Sequence, residues 1–223
     1  MRKVENEILL EENEVAAIED IFTYLSENRP EDVPIESFPH ADGIFIPNHY
    51  HPQIIEHGIK FWRMKKADKM IISGEALKST SSSECNYVSY ALEAGVSKEN
   101  LFVEDRAINV LDEVMEGIGV CHSKKFFPES LIVCAFPPLL QRAYATFKKH
   151  FPKIRIYGSG FEMKIMDWCT RVSHIYRLLG ELNRLREYSW KGDIATIEIP
   201  SWVASSEKKI ERVLKKNEKV HSS

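Results

Sequence analysis

The sequence predicts an α/β fold, a mainly parallel sheet sandwiched by helices, with a helical C-terminal extension. Three observations carry this. Short apolar runs fit for buried strands recur at 43–47 (GIFIP), 69–73 (KMIIS), 101–103 (LFV), 130–135 (SLIVCA) and 153–157 (KIRIY). Segments with helical apolar spacing separate them, which is the alternation of βαβ units. After Gly160 this rhythm gives way to long helical patterns.

In chain order, residues 12–28 set Val15, Ile18, Ile21, Phe22 and Leu25 at helical spacing, and Pro30 stops the helix. Pro30, Pro34 and Pro39 mark a loop before the first strand. Ile55, Ile59 and Trp62 repeat within a second helix over 54–65, and the strand 69–73 follows. A helix over 84–94 stops at Gly95. Beyond the third strand, a helix over 110–121 gathers Leu111, Val114, Met115 and Ile118 on one face. The fourth strand, a helix over 139–150 and the fifth strand complete a Rossmann-like core. Residues 168–188 then read as one long helix carrying Arg171, Arg177, Arg184 and Arg186. The run 194–199 (IATIEI) alternates as a strand, and 205–216 is a final helix. The expected division is a core with its N-terminal helix over 1–160 and a helical extension packing on it over 161–223.

Composition bounds the function. The chain has 223 residues, 43% hydrophobic and 28% charged, an ordinary globular balance. A net charge of −3 argues against a general nucleic-acid binder, which needs a concentrated basic surface. No segment approaches the roughly 18 apolar residues of a membrane span. The N-terminal MRKVENEILLEEN is too acidic for a signal peptide. Cys85, Cys121, Cys134 and Cys169 form no CxxC pair and read as free thiols of a reducing compartment. The expectation is a cytoplasmic protein, its oligomeric state open.

The chemistry gathers at strand ends. In a parallel sheet, ligands bind at the carboxyl edge. Ser73-Gly74-Glu75 follows the second strand, where the glycine permits a tight turn, and the serine-rich 78–83 leads into a helix starting near Glu84. Capping of that helix accounts equally well for the serines. Glu104 and Asp105 end the third strand and Asn109 opens the next helix; these groups suit ribose hydroxyls, an amine or a cation, or else a local cap and ion pair. Arg142, on the helix after the fourth strand, faces a phosphate or carboxylate in the crevice or else solvent. Neither GxGxxG nor GxxxxGK[ST] occurs, and no G-x-S-x-G elbow. His49, His51 and His57 come in HYHPQIIEH, but Pro52 separates His51 from the helix and no other metal signature accompanies them, so no metal is expected. His49 is nonetheless placed to touch a ligand.

The ordered set of these pieces resembles the YdcF-like family, related to the SanA and ElyC envelope proteins. Ser73 and Gly74 match that family's Ser-Gly-Gly turn, with Glu75 in place of the second glycine, and Glu84 matches its helix-starting Glu. Glu104, Asp105 and Asn109 match its Glu-Asp-x-Ser-x-Asn block, and Arg142, in QRAYATFKK, its late arginine. HIYRLLGELNRLREY is similar to the region following the core in the family's namesake, so the likeness spans residues 15–199. The chain departs from the family in IFIPNHY, which lacks the glycines of the first strand end. It departs again at Ala107 and Val110, where the family has Ser and Thr, and at Pro137-Pro138, near the place of a family histidine. The resemblance implies a protein that binds S-adenosylmethionine or a related nucleotide, with methyl transfer as the reaction such a cofactor supports.

Strand ends and resemblance together put Asn48, Ser73, Gly74, Glu75, Glu84, Glu104, Asp105, Asn109 and Arg142 in one ligand crevice. Two other classes stay open. One is a metal- or carboxylate-dependent enzyme acting on a phosphorylated or lipid-linked envelope metabolite, with Glu84, Glu104 and Asp105 as acid/base groups or metal ligands. The other is a non-catalytic module whose arginine-rich helix binds a partner. That helix reads equally as a solvated face packed on the sheet through Leu178, Leu179, Leu182 and Leu185.

Overall fold

The computed structural model describes residues 2–4, 8–27, 35–47, 49, 51–74 and 86–221. Two short strands, β1 (Arg2–Val4) and β2 (Ile8–Leu10), pair antiparallel and lead into α1 (Glu12–Ser26). There follow β3 (Ala41–Pro47), α2 (Pro52–Arg63), β4 (Ala67–Ser73), α3 (Tyr87–Glu93), β5 (Leu101–Glu104), α4 (Val110–Ser123) and β6 (Ser130–Ala135). A 3-10 turn at Pro137–Leu139 opens onto α5 (Leu140–His150), and then come β7 (Arg155–Gly160), α6 (Ile165–Trp168), α7 (Val172–Lys191) and α8 (Ser201–His221).

The sheet is parallel throughout, in the order β5-β4-β3-β6-β7. Both its faces are covered, so its strands are apolar at consecutive positions. Ile44, Ile46, Met70, Ile72, Ile132 and Cys134 pack toward α2 and α3. Phe45, in register with Ile71 and Val133, packs with them and Leu131 toward α4 and α5. A third apolar cluster joins α1, α6, α7 and α8, so the N-terminal helix packs with the C-terminal helices. The chain runs outward from β3 through β4 to β5, then returns to β6 on the other side of β3. This reversal leaves a crevice beyond the carboxyl ends of β3 and β6, the ligand position of open α/β sheets.

The α/β fold with its parallel sheet and C-terminal helices is as the sequence predicts, but several elements differ. The helix expected over 168–188 begins later, at Val172, and runs on to Lys191, after the separate short helix α6. The Trp168 carbonyl takes the Thr170 N–H at 2.7 Å and the His174 ring, so the chain turns at 169–171 before α7 begins. The strand expected over 194–199 is an irregular segment outside any ladder. Its alternation is real, but Ile194, Ile197 and Ile199 face the helical cluster, and the Ala195 N–H bonds the Ala145 carbonyl at 3.0 Å. β7 lies later than expected because Ser159 and Gly160 still pair with Cys134 and Ala135. In α4 the buried stripe is Val110, Val114, Ile118 and Cys121, and Met115 is exposed. α3 begins at Tyr87, capped by Asn86, which accepts the Ser89 N–H at 3.1 Å. The β1–β2 pair had no counterpart in the expectations. Among the described residues, no helix is long and apolar enough to cross a membrane.

Candidate functional site

The crevice at the switch point is a cleft of about 440 Å³. Its floor is the end of β3 (Pro47, His49) and the turn after β6 (Phe136, Pro138, Leu139). One side is the start of α4, from Ile108 to Glu113, and the base of another is Arg142 of α5. α7 closes it by lying across the sheet edge, presenting Arg177, Glu181, Arg184 and Tyr188 at successive spacings of four, three and four residues, one helical face. A smaller recess of about 170 Å³ adjoins it, sharing Asn109, Arg142 and Tyr188 and reaching Thr146 and Asp193.

Arg142 and Glu181 form the electrostatic centre. The Arg142 Nε–H donates to Glu181 Oε2 at 2.9 Å, with both side chains nearly buried at 12% and 10% exposure. Arg184 donates to Oε1 of the same carboxylate at 2.7 Å. Burying two charges is tolerable only with such pairing, and here one carboxylate serves two guanidiniums. Leu178, Leu179, Leu182 and Leu185 fill the neighbouring stripe of α7 and hold it on the helical cluster.

The aromatic side of the cleft is built on His49. Its ring stacks on Phe136 with centroids 4.8 Å apart and planes 10° from parallel; Trp168 meets Phe136 edge-on at 5.4 Å. The Tyr87 hydroxyl, on α3, lies 2.7 and 2.6 Å from the carbonyl oxygens of His49 and His51 and fixes that backbone. Burial, then His51, Arg177 and Arg142, lower the His49 pKa to about 4, so the imidazole is neutral near pH 7. Burial lowers His51 as well.

Of the nine residues named from the sequence, the six described ones fall into separate groups. Asn48, Glu75 and Glu84 lie outside the described residues. Arg142 and Asn109 line the cleft. Asn109 also caps α4, its Oδ1 accepting the Asp112 N–H at 3.0 Å. Ser73, Gly74 and Glu104 converge on one another instead. The Glu104 carboxylate, 1% exposed, accepts the backbone N–H groups of Arg106 at 2.6 Å and Ala107 at 3.1 Å. Ser73 Oγ lies 2.8 Å from Glu104 Oε2 and 2.9 Å from the Glu113 carbonyl oxygen. Gly74, at φ +140°, where only glycine is unstrained, turns its N–H to the Glu104 carbonyl at 3.0 Å. This knot ties the ends of β4 and β5 to α4 and so holds the cleft's wall in place. Asp105 is exposed beside it.

Sequence reasoning missed Glu181, Phe136 and Trp168. It treated Arg177 and Arg184 only as members of a charged helix. The Arg177, Glu181, Arg184, Tyr188 spacing was the available signal, but the neighbouring leucine stripe accounts for the same helix without a site.

Other reactive groups lie apart from the cleft. His57 Nε2 and Ser159 Oγ are 2.8 Å apart but buried between α2 and β7. Burial raises the Cys121 pKa to about 12 and raises that of Cys134 too, so both are inert thiols. Among the described residues, no three His, Cys, Asp or Glu side chains form a metal-binding group. No protein-family model matches the chain, and no curated protein matches it.

Proposed function

We propose that this protein binds a nucleotide-like small molecule in the switch-point cleft. One observation carries the reading. At the crevice where open α/β sheets take ligands, the His49 ring, backed by the buried Phe136, lies in the floor, and guanidiniums from α5 and α7 form the walls. A flat ring has a face to lie against, and its polar substituents have donors to meet. The likeness to the YdcF-like family supports the same ligand class and brings in S-adenosylmethionine as a member of it. No reaction is assigned, because a cleft of this kind speaks to binding and not to chemistry.

The test is thermal unfolding of the full chain with millimolar S-adenosylmethionine, its demethylated product, adenosine and ADP. A ligand bound only by the native state raises stability by about 2.7 kcal/mol at a hundredfold excess over its dissociation constant. For a chain of this size that lifts the midpoint by about 5–10 °C. A shift with at least one of them that is lost on His49→Ala supports the reading. No shift with any of the four removes it.

A further inference from the structure

Resting on that ligand-binding reading, we propose that the α5–α7 wall of the cleft is a phosphate subsite in which Arg142 and Arg184 hold the phosphate of a phosphorylated, ring-bearing ligand. Charge is the first argument. Where α5 meets α7, two guanidiniums, Arg142 and Arg184, meet one carboxylate, Glu181, a local excess of one positive charge, with the His49 ring opposite neutral. Glu181 is shared by two guanidiniums, so this pair of arginines is only half neutralised. An anion completes it, whereas the sulfonium of S-adenosylmethionine would face like charge.

Donor geometry is the second argument. Among the described residues, the side-chain hydrogen bond of Arg142 runs from Nε to Glu181, and that of Arg184 from one terminal nitrogen to the same carboxylate. The terminal amino groups of Arg142 are left for what enters the cleft that this side chain lines. A planar guanidinium fork matches phosphate oxygens two at a time. Glu181 fixes both forks before the ligand arrives, so little side-chain freedom is lost on binding. The aromatic floor on the other side receives the ring, which makes the subsite one half of a nucleotide-shaped cleft rather than an isolated anion site.

The experiment is calorimetric titration of the full chain with adenosine, ADP and S-adenosylmethionine at low and moderate salt, on wild type, Arg142→Gln and Arg184→Gln. The expected result is ADP binding at least about tenfold tighter than adenosine, since charge-assisted hydrogen bonds are the strong ones. That margin shrinks with salt. Arg184 is 46% exposed, so its replacement leaves the fold intact. The Arg184→Gln protein should lose most of the ADP margin while adenosine binding is unchanged. Equal affinity for adenosine and ADP, or binding of S-adenosylmethionine with ADP silent, overturns the phosphate subsite and leaves the ligand-binding reading standing. Silence from all three ligands overturns both.

Discussion

Arg142 and Glu181, 39 residues apart, meet at 2.9 Å and fasten α7 across the carboxyl edge of the sheet to α5 beneath it. Removing Glu181 leaves the Arg142 charge nearly buried and uncompensated. Glu181→Gln should therefore cost about 3 kcal/mol, read as a lower urea midpoint. Replacing both partners by apolar residues, Arg142→Met with Glu181→Leu, should restore most of that loss, because the desolvation goes with the charges. If the single and double variants are equally destabilised, the pair is not what holds α7 down.

Glu104 separates an architectural role from a ligand-binding one. Its carboxylate takes two backbone N–H groups and the Ser73 hydroxyl in a site closed to solvent. Glu104→Ala leaves those donors buried without partners and should cost about 3 kcal/mol. Glu104→Gln keeps an acceptor for the N–H groups and should cost only about 1 kcal/mol. Neither effect should depend on ligand. A Glu104→Gln protein of wild-type stability that no longer binds any ligand would place Glu104 in the binding site after all.

The sheet was legible because its strands are short, apolar and punctuated, and burial on both faces leaves no ambiguity about what such runs do. The helices around it were legible in existence more than in extent. The break at 169–171 depends on which groups take the Trp168 carbonyl, a tertiary fact invisible to periodicity. The alternation at 194–199 was read as a strand because spacing reports an apolar side without saying whether a sheet or a helix covers it. At the candidate site, the strand-end rule led to the edge of the sheet where the cleft lies and to Arg142 and Asn109, which line it. It could not tell that Glu104 and Ser73 satisfy each other, since local sequence does not show which polar groups are closed off. Glu181 was hidden for the opposite reason. A glutamate among arginines on a helix looks solvated until the neighbouring strand ends are in place beneath it.

Two glycines of α4 should respond in opposite directions to the same substitution. A Cβ on Gly117 would lie 2.6 Å from the Phe45 ring and 3.3 Å from Ser73 Cβ, so the helix could not keep its seat on β3 and β4. Gly117→Ala should cost about 2 kcal/mol by overpacking. Gly119, two residues on and exposed, has nothing within 4 Å of the same atom. Gly119→Ala should stabilise by about 0.5–1 kcal/mol, through the freedom removed from the unfolded chain. Denaturant unfolding of both variants checks this, and a neutral Gly117→Ala would mean that α4 packs less closely than its contacts indicate.

His49 should give the protein an acid-sensitive limb. In the unfolded chain a histidine titrates near pH 6.5; in the fold, burial first and then His51, Arg177 and Arg142 bring His49 down to about 4. Between these values the unfolded state binds a proton that the native state refuses, so stability falls as the solution is acidified. The contribution is fully present above about pH 6.5 and is lost as the pH drops toward 4. Each pH unit crossed in that window removes about 1.4 kcal/mol, in total about 3 kcal/mol. His49→Phe keeps a flat ring against Phe136 and removes the titrating group. His51 is lowered as well and titrates in both proteins, so the difference between them reports His49. Urea unfolding at pH 7 and pH 4.5 should show the wild type losing about 2.5 kcal/mol more than the variant over that interval. Equal losses would mean that His49 protonates as freely in the fold as outside it, and that water reaches the floor of the cleft.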